Sequence, residues 1–419
     1  MNEGGDRDKL GRGWVWNDEI ADCIHQNHVF RLRRRSGTVV SEYVSMYANA
    51  FGQQWFINEG AQTTNLASIS STRLALFPIP LPPLAEQRRI VARIEALFAR
   101  TRRARTELER VAPLSARHRS AMLTNAACGT LTEPWRQAGP TPSSTLQVLS
   151  SIRRERRQDR RLARREAVNA EPDEQLPAGW AWVSPDEVAD NAPYSIGIGP
   201  FGSNLVQGDY QQSGVRLVFV RDIRRQQFDA FNARYVTPEK AAELHPHAVN
   251  GGEVLITKMG EPPGDTAIYP KGIGSAVITA DCIKLKPHPL LGNSEYLAHI
   301  IRSQMVAAQI GNITKGVAQQ KVSLEAFRRI ALPLPPSAEQ DEIVRMLDAS
   351  NASIGKAEQE ATRALALLDR LEQAILAKAF RGELVPQDPS EEPATALLAR
   401  LEPSATAPRR GRPRQAARV

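Results

Sequence analysis

The sequence predicts an α/β (α+β) protein in which two related domains, the first one partial, are joined by two long helices that form an antiparallel coiled coil. Three observations carry this prediction. The chain says something twice: residues 79–91 read IPLPPLAEQRRIV and residues 332–344 read LPLPPSAEQDEIV, nine identities in thirteen positions at an offset of 253. Short β-rich stretches precede each copy of that motif, and a long heptad-patterned segment follows each. The offset holds without a gap from Gly11 on Gly264, through residues 28–33 on 281–286 and Glu42-Tyr43 on Glu295-Tyr296, to Gly129 on Gly382 and Leu131 on Leu384. A period this long is a duplicated domain with its following helix, since solenoid repeats run roughly 20–50 residues.

Taken in order, residues 1–80 form the partial first domain. Its strand candidates are 13–16 and 28–32, followed by an amphipathic helix over 40–51. Pro78, Pro80, Pro82 and Pro83 end regular structure there. Residues 81–131 hold the first long helix, kinked at Pro113. Residues 132–175 form a connector whose run RRERRQDRRLARR, at 153–165, predicts an arginine-faced helix. Residues 176–331 are the second domain, with strand candidates 215–221, 254–258, 266–269 and 276–285 and a helix over 295–310. Residues 332–388 contain the second long helix, over 337–380, and residues 389–419 a short apolar helix (393–401) and a basic tail. Subtracting the offset from Leu176 puts the first domain's start about 77 positions before Met1, so the sequence enters that domain roughly halfway.

Heptad spacing places Leu347, Ile354, Ala361, Leu368 and Ile375, alternating with Ser350, Ala357, Ala364 and Leu371, on one seam of the second long helix. The matching seam of the first is Ile94, Thr101, Leu108, Ser115 and Met122, alternating with Leu97, Ala104, Val111 and His118. Residues 84–126 carry ten arginines against four glutamates, whereas 337–381 carry six basic against eight acidic residues. Opposite charge favours pairing of the two helices with each other over self-pairing.

Composition narrows the partners. Net charge is +8, almost all of the excess being arginine, which suits bidentate phosphate and guanine contacts. Three scattered cysteines give no disulfide framework and no thiolate zinc site, and fit a reducing cytoplasm. No run reaches the roughly 18 apolar residues of a membrane span, so no membrane partner is expected. There is no GxxxxGK[ST], HExxH or GxSxG, and no metal site or catalytic residue is assigned. A GxGxxG match at Gly197, Gly199 and Gly202 cannot open a dinucleotide-binding helix, because SNLVQGDYQQSG follows it. The loop makes better sense as a place where backbone N–H groups of Gly199 and Gly202 approach a phosphate, with Phe201 as apolar anchor. The pair His245 and His247 lacks acidic or thiol company and reads as an ordinary loop.

The doubled PLPPxxEQxxIV with its helices, the RGEL end at 381–384, GPFGSN at 199–204, LPAGWAWV at 176–183 and WNDEIADCIHQNHVFRLR at 16–33 resemble the specificity subunit of type I restriction–modification enzymes. The resemblance covers nearly all of the chain and implies two target-recognition domains, each reading half of a split double-stranded DNA sequence, with the helix pair setting the gap. It implies no catalysis by this chain. Adenine methyltransferase (M) subunits using S-adenosylmethionine, and restriction/translocase (R) subunits using ATP and Mg, would be the partners. Base-reading chemistry then selects Ser203, Asn204, Arg221, Lys258, Lys315, Gln319, Gln320 and Lys321 in the second domain. In the first domain it selects His25, Gln26, Asn27, Thr63, Thr64 and Asn65. The alternative is a free-standing architectural DNA binder, whose RGRP element in the tail would enter A·T-rich minor grooves, or an inactive truncated specificity subunit.

Overall fold

The computed structural model describes residues 1–5, 9–26, 28–34, 38–62, 67–139, 144–165, 167–168, 171–224, 227–229, 231–314 and 320–399. Two compact units emerge, one of residues 1–111 with 359–419, the other of residues 112–358.

In the first unit, helices α1 (Ser41–Phe51) and α2 (Gln53–Glu59) precede the proline-rich motif, after which α3 runs over Leu84–Glu109. The strands expected at 13–16 and 28–32 are absent. The region pairs its backbone through a bridge between Asn2 and Val29 and a three-stranded sheet of two-residue strands, Gly4–Gly5, Ala61–Gln62 and Ala67–Ser68. Isolated β-rich pieces stay irregular when no neighbouring strand takes up their N–H and C=O groups. Tyr43, Ile90, Ile94, Ile375 and Ala379 form a core between α1, α3 and the distal part of the 337–380 helix.

In the second unit, α4 (Val111–Cys128) follows α3 after a break at Arg110. The break lies three residues before Pro113, whose ring clashes with the carbonyl four residues earlier, so a kink becomes an interruption. The connector's helix, α5, ends at Arg156 (Thr145–Arg156), and residues 157–164 are turns. The arginine-faced helix expected over 153–165 is therefore corrected. Arg156 is buried and donates to the carbonyls of Glu187 and Ala189 and to Asn191 Oδ1 (2.7 Å). Burial, with Arg165 alongside, lowers its guanidinium pKa to about 10. Arg165 donates to Asp186 O (2.7 Å) and Ser195 Oγ (3.1 Å), so these two side chains staple the connector to the domain.

That domain contains strands β1 (Ala181–Val183), β2 (Ile196–Ile198), β3 (Val215–Val218), β4 (Arg234–Val236), β5 (Ala248–Val249), β6 (Val254–Thr257), β7 (Thr266–Ile268), β8 (Ala276–Ile278), β9 (Cys282–Leu285) and β10 (Leu332–Leu334). They assemble as sheets of order β5-β8-β3-β4 and β7-β6-β9-β2, with β10 paired to β1. All pairings are antiparallel except β8 with β3. The single strand expected over 276–285 is two strands on two sheets. Cys282 N donates to Thr279 O (2.9 Å), a turn that redirects the chain between them. The strand expected to reach Arg221 stops at Val218, and Val220–Asp222 is a 3-10 turn. The helix expected over 295–310 is also two, α6 (Ser294–Ile301) and α7 (Gln304–Ile313), because the Ser303 side chain accepts from Val306 N and starts a new helix. Helix α8 spans Ser337–Phe380, as the heptads predict.

Within each unit α8 pairs antiparallel with its partner. Arg105 meets Asp369 at 2.6 Å in the first; Arg119 donates twice to Glu358, at 2.9 and 2.8 Å, in the second. Ile94, Leu347 and Ile375 are buried; Leu97, Leu108, Val111, Met122, Ile354 and Leu368 are half-buried. Leu371 is 48% exposed; Ala104, Ala357 and His118 are likewise exposed, although His118 Nε2 lies 3.2 Å from Ser350 Oγ across the pair. The positions four residues on are also buried or half-buried at Phe98, Arg105, Arg119 and Ala126 and at Glu358, Leu365, Glu372 and Ala379, beside the half-buried Leu97, Val111, Ser350 and Ala364. Thr101 Oγ1 donates to Glu372 across the pair.

The repeated motif is a hydrogen-bonded lock made twice. Tyr43 Oη donates to Pro80 O (3.0 Å) and Tyr296 Oη to Pro333 O (2.6 Å). Gln87 Nε2 donates to Pro82 O and Gln340 Nε2 to Pro335 O, both at 2.9 Å. Their Oε1 atoms accept from Val40 N and Asn293 N, both at 2.8 Å. Every donor and acceptor corresponds at the 253-residue offset. The proline run, unable to donate from its nitrogens, leaves carbonyls that this Tyr and Gln satisfy.

Candidate nucleic-acid interface

In the second unit the ends of β6 and β8 and residues 320–322 meet near the glycine-rich turn. A Cβ on Gly199 would stand 2.1 Å from the Thr279 carbonyl carbon, so only glycine lets the turn lie against the end of β8. Gly202 adopts φ +56°, outside ordinary L-residue backbone, and opens the 3-10 turn Gly202–Asn204. Phe201 is thereby held out, 60% exposed. Lys258 follows β6. Its Nζ lies 5.0 Å from the Phe201 ring centroid and donates to Ala280 O (3.3 Å). Its backbone N–H donates to Asp281 O (2.8 Å), and its carbonyl accepts from Val322 N (3.0 Å). Met259 bridges Lys321, Gly260 N donates to Gln320 O (3.4 Å), and Lys321 Nζ stands 3.9 Å from Asp281 Oδ1. Phe201, Lys258, Gln320 and Lys321 therefore share one surface, with Asp281 between the two lysines.

Ser203 and Asn204 are exposed on the same turn. Arg221 lies over the Phe219 ring at 4.5 Å, beyond the Val218 carbonyl that accepts from Thr279 N (2.9 Å). Beneath it Asp222 accepts from Phe219 N (2.9 Å); burial pushes its carboxyl pKa up, while that bond, Arg216 and Arg221 pull it down. His25 and Gln26 are exposed on a strandless stretch of the first unit, the His25 ring nitrogen 3.1 Å from Gln26 O. Asn27, Thr63, Thr64, Asn65, Lys315, Gln319 and the basic tail lie outside the described residues. Among the described residues no group of three or more His, Cys, Asp or Glu is placed to hold a metal, and no helix is long and apolar enough to cross a membrane.

Sequence reasoning missed Arg216. It lies on β3 with its guanidinium 5.0 Å from the Phe228 ring, and its Nε and Nη2 find no hydrogen-bond partner among the described residues. A lone arginine in a β-branched strand gives no pattern that would have marked it. Asp281, which contacts both lysines, was visible only as one dispersed carboxylate.

The surface combines ammonium groups, amide side chains and an exposed aromatic on loops at the edge of a β scaffold. Ammonium groups suit phosphates, and amides suit base edges. The sequence profile of the type I restriction modification DNA specificity domain matches residues 16–111 and 237–362, together more than half of the chain. Lys258, Gln320 and Lys321 fall inside the second match, whereas residues 199–221 fall outside it. The chain is 25% identical over 338 residues to the type I restriction enzyme EcoBI specificity subunit of Escherichia coli, covering 80% of this chain and 65% of that protein. It is 25% identical over 366 residues to the EcoKI specificity subunit of Escherichia coli strain K12, covering 83% and 65%. The chain thus spans about two thirds of the length of these relatives. A solved chain described under complex assembly and conformational transition of the type I R-M system shares the fold, with a TM-score of 0.52 at 21% identity over 84% of this chain and 74% of that one.

Proposed function

The chain belongs to the type I restriction modification DNA specificity domain family, and from that premise we propose that it is the non-catalytic, sequence-reading subunit of a restriction–modification complex. The observation that carries the reading is the joined surface of Phe201, Lys258, Gln320 and Lys321 at the edge of the second domain's sheets. In this reading Lys258 and Lys321 bind phosphates on either side of a major-groove contact, while Gln320 and Asn204 present amides to base edges. In this reading Arg221 and Ser203 add further polar contacts to the DNA. The paired helices act as the spacer between two half-sites of double-stranded DNA. Adenine methyltransferase subunits carrying S-adenosylmethionine, and translocase subunits carrying ATP and Mg, supply the chemistry.

Selection from a pool of random duplex DNA tests the reading. The purified chain, alone or with its co-expressed methyltransferase, is expected to enrich one defined half-site through the second domain. Enrichment of no sequence, with affinity set only by salt, sinks it in favour of a nonspecific binder.

A further inference from the structure

The end of the β7-β6-β9-β2 sheet away from Lys258 holds a cleft. β6 places Glu253 just before Val254 and Lys258 just after Thr257, and β9 runs antiparallel beside it with Leu285 opposite Val254. Residues 192–195, 250–253 and 292–295, with Lys271, Lys284 and Lys286, line a cleft of about 860 Å³ there. Lys284, on β9, is 4% exposed, and Glu253 is 7% exposed. The Lys284 ammonium has three N–H bonds to give and donates to Ala248 O. The Glu253 carboxylate accepts from Asn250 Nδ2 (3.2 Å).

Glu253 acts on Lys284 only through the field of its charge, with no hydrogen bond or ion pair between them among the described residues. Burial pushes the Glu253 carboxyl pKa up, Asn250 and Lys284 opposing, and pushes the Lys284 ammonium pKa down, Glu253 opposing. Buried opposite charges gain most by closing on each other, because each has given up water. Held apart on one cleft, these two leave room for an acceptor beside a donor. A second observation lies on the same cleft. Tyr194 has φ +58°, a left-handed backbone that is a genuine outlier for a bulky residue. Its ring is 53% exposed and stands edge-on to His245 at 5.6 Å. Strain of this kind clusters at ligand clamps. Lys271 is exposed, with no hydrogen-bond or ion-pair partner among the described residues.

We propose that this cleft binds a purine mononucleotide of the guanine type. The guanine edge presents its O6 acceptor beside N–H donors, which matches an ammonium next to a carboxylate. The base lies against the Tyr194 ring, and the phosphate reaches Lys271 as a point charge. Glu253 repels a bare anion, and adenine turns an amino group toward Lys284 where an acceptor is needed. The volume falls within the roughly 300–1,000 Å³ of small-molecule sites. The site shares no residue with the DNA-reading surface of Phe201, Lys258, Gln320 and Lys321, and its test contains no DNA.

Isothermal titration calorimetry of the full chain with GMP, AMP and inorganic phosphate is the test. Saturable GMP binding is expected, with AMP roughly tenfold weaker for want of one hydrogen bond to a charged donor. Inorganic phosphate should give no saturable heat in the same range. Bound GMP should slow hydrogen exchange at the amides of residues 250–253. Glu253→Gln is expected to weaken GMP roughly tenfold. Because Glu253 is buried, Tyr194→Gly supplies a second variant at an exposed position, where glycine suits the left-handed backbone. It should weaken GMP several-fold through the lost stacking without lowering the denaturant midpoint. No saturable GMP binding at millimolar concentration, equal affinity for GMP and AMP, or protection confined to other segments would each overturn the proposal.

Discussion

Gln320 and Lys321 are neighbours in sequence and share one strand-like bridge to residues 259–260, yet their losses should read out differently. An ammonium on a phosphate contributes equally to every DNA sequence. Lys321→Ala is therefore expected to weaken binding uniformly and to lower the slope of log affinity against log salt by about one. Gln320→Ala should leave the salt slope alone and relax preference at one base pair, by roughly 1–3 kcal/mol. Salt-titrated binding to a selected and a scrambled duplex separates the two; identical behaviour of the variants rules the assignment out. A second residue-scale expectation concerns His299, buried on α6 with Nε2 3.6 Å from Asp348. Desolvation lowers its pKa below the ordinary 6.5, Asp348 opposing and Arg302 assisting. The unfolded chain thus takes up this proton before the folded one does. The stability held with neutral His299 is complete above 6.5 and drains away as pH falls below it. His299→Gln is expected to flatten the decline in denaturant midpoint between about pH 7.5 and pH 5.5; an unchanged decline would refute it.

The helix pair is where the sequence was most and least legible. Apolar residues every seven positions gave α8 its limits, because heptad periodicity is a property of the chain alone. The second row was legible only in part: Leu97, Val111, Ser350 and Ala364 are half-buried, but an arginine or glutamate one position further on does not look like part of a seam. The structure places the half-buried Arg105, Arg119, Glu358 and Glu372 one position further on, their heads paired across the two helices. Charge balance carried that information; hydrophobicity did not. Likewise the β-rich runs at 13–16 and 28–32 were legible as strands but lack partners, and pairing is not encoded locally. Arg119 and Glu358 are each about one third exposed, so their bond contributes only about 0.2–1 kcal/mol. Arg119→Glu places two carboxylates together and should lower stability by a similar amount, and adding Glu358→Arg should restore it. Chemical denaturation of the four chains in a double-mutant cycle measures this; a swap no more stable than the single reversal would show that the pair is not coupled.

At the scale of the whole molecule the duplication sets an asymmetry of stability. Both units carry the same Tyr–Pro–Gln lock, so the difference arises from what surrounds it. The second unit buries β6 and β8–β10 almost completely and satisfies Glu339 with three donors. The first unit relies on two-residue strands and exposes Trp14, Ile20 and Ile24. Opening free energy follows buried apolar contact and paired backbone, so the two units should not open together. Native-state hydrogen exchange is expected to find amides of residues 9–34 exchanging by local opening at low denaturant. Those of β6, β8 and β9 should exchange only near the global transition. If the first domain's amides merge with the second's at every denaturant concentration, the chain unfolds as one cooperative body and the asymmetry argued from short strands and exposed apolar side chains is not felt in its energetics.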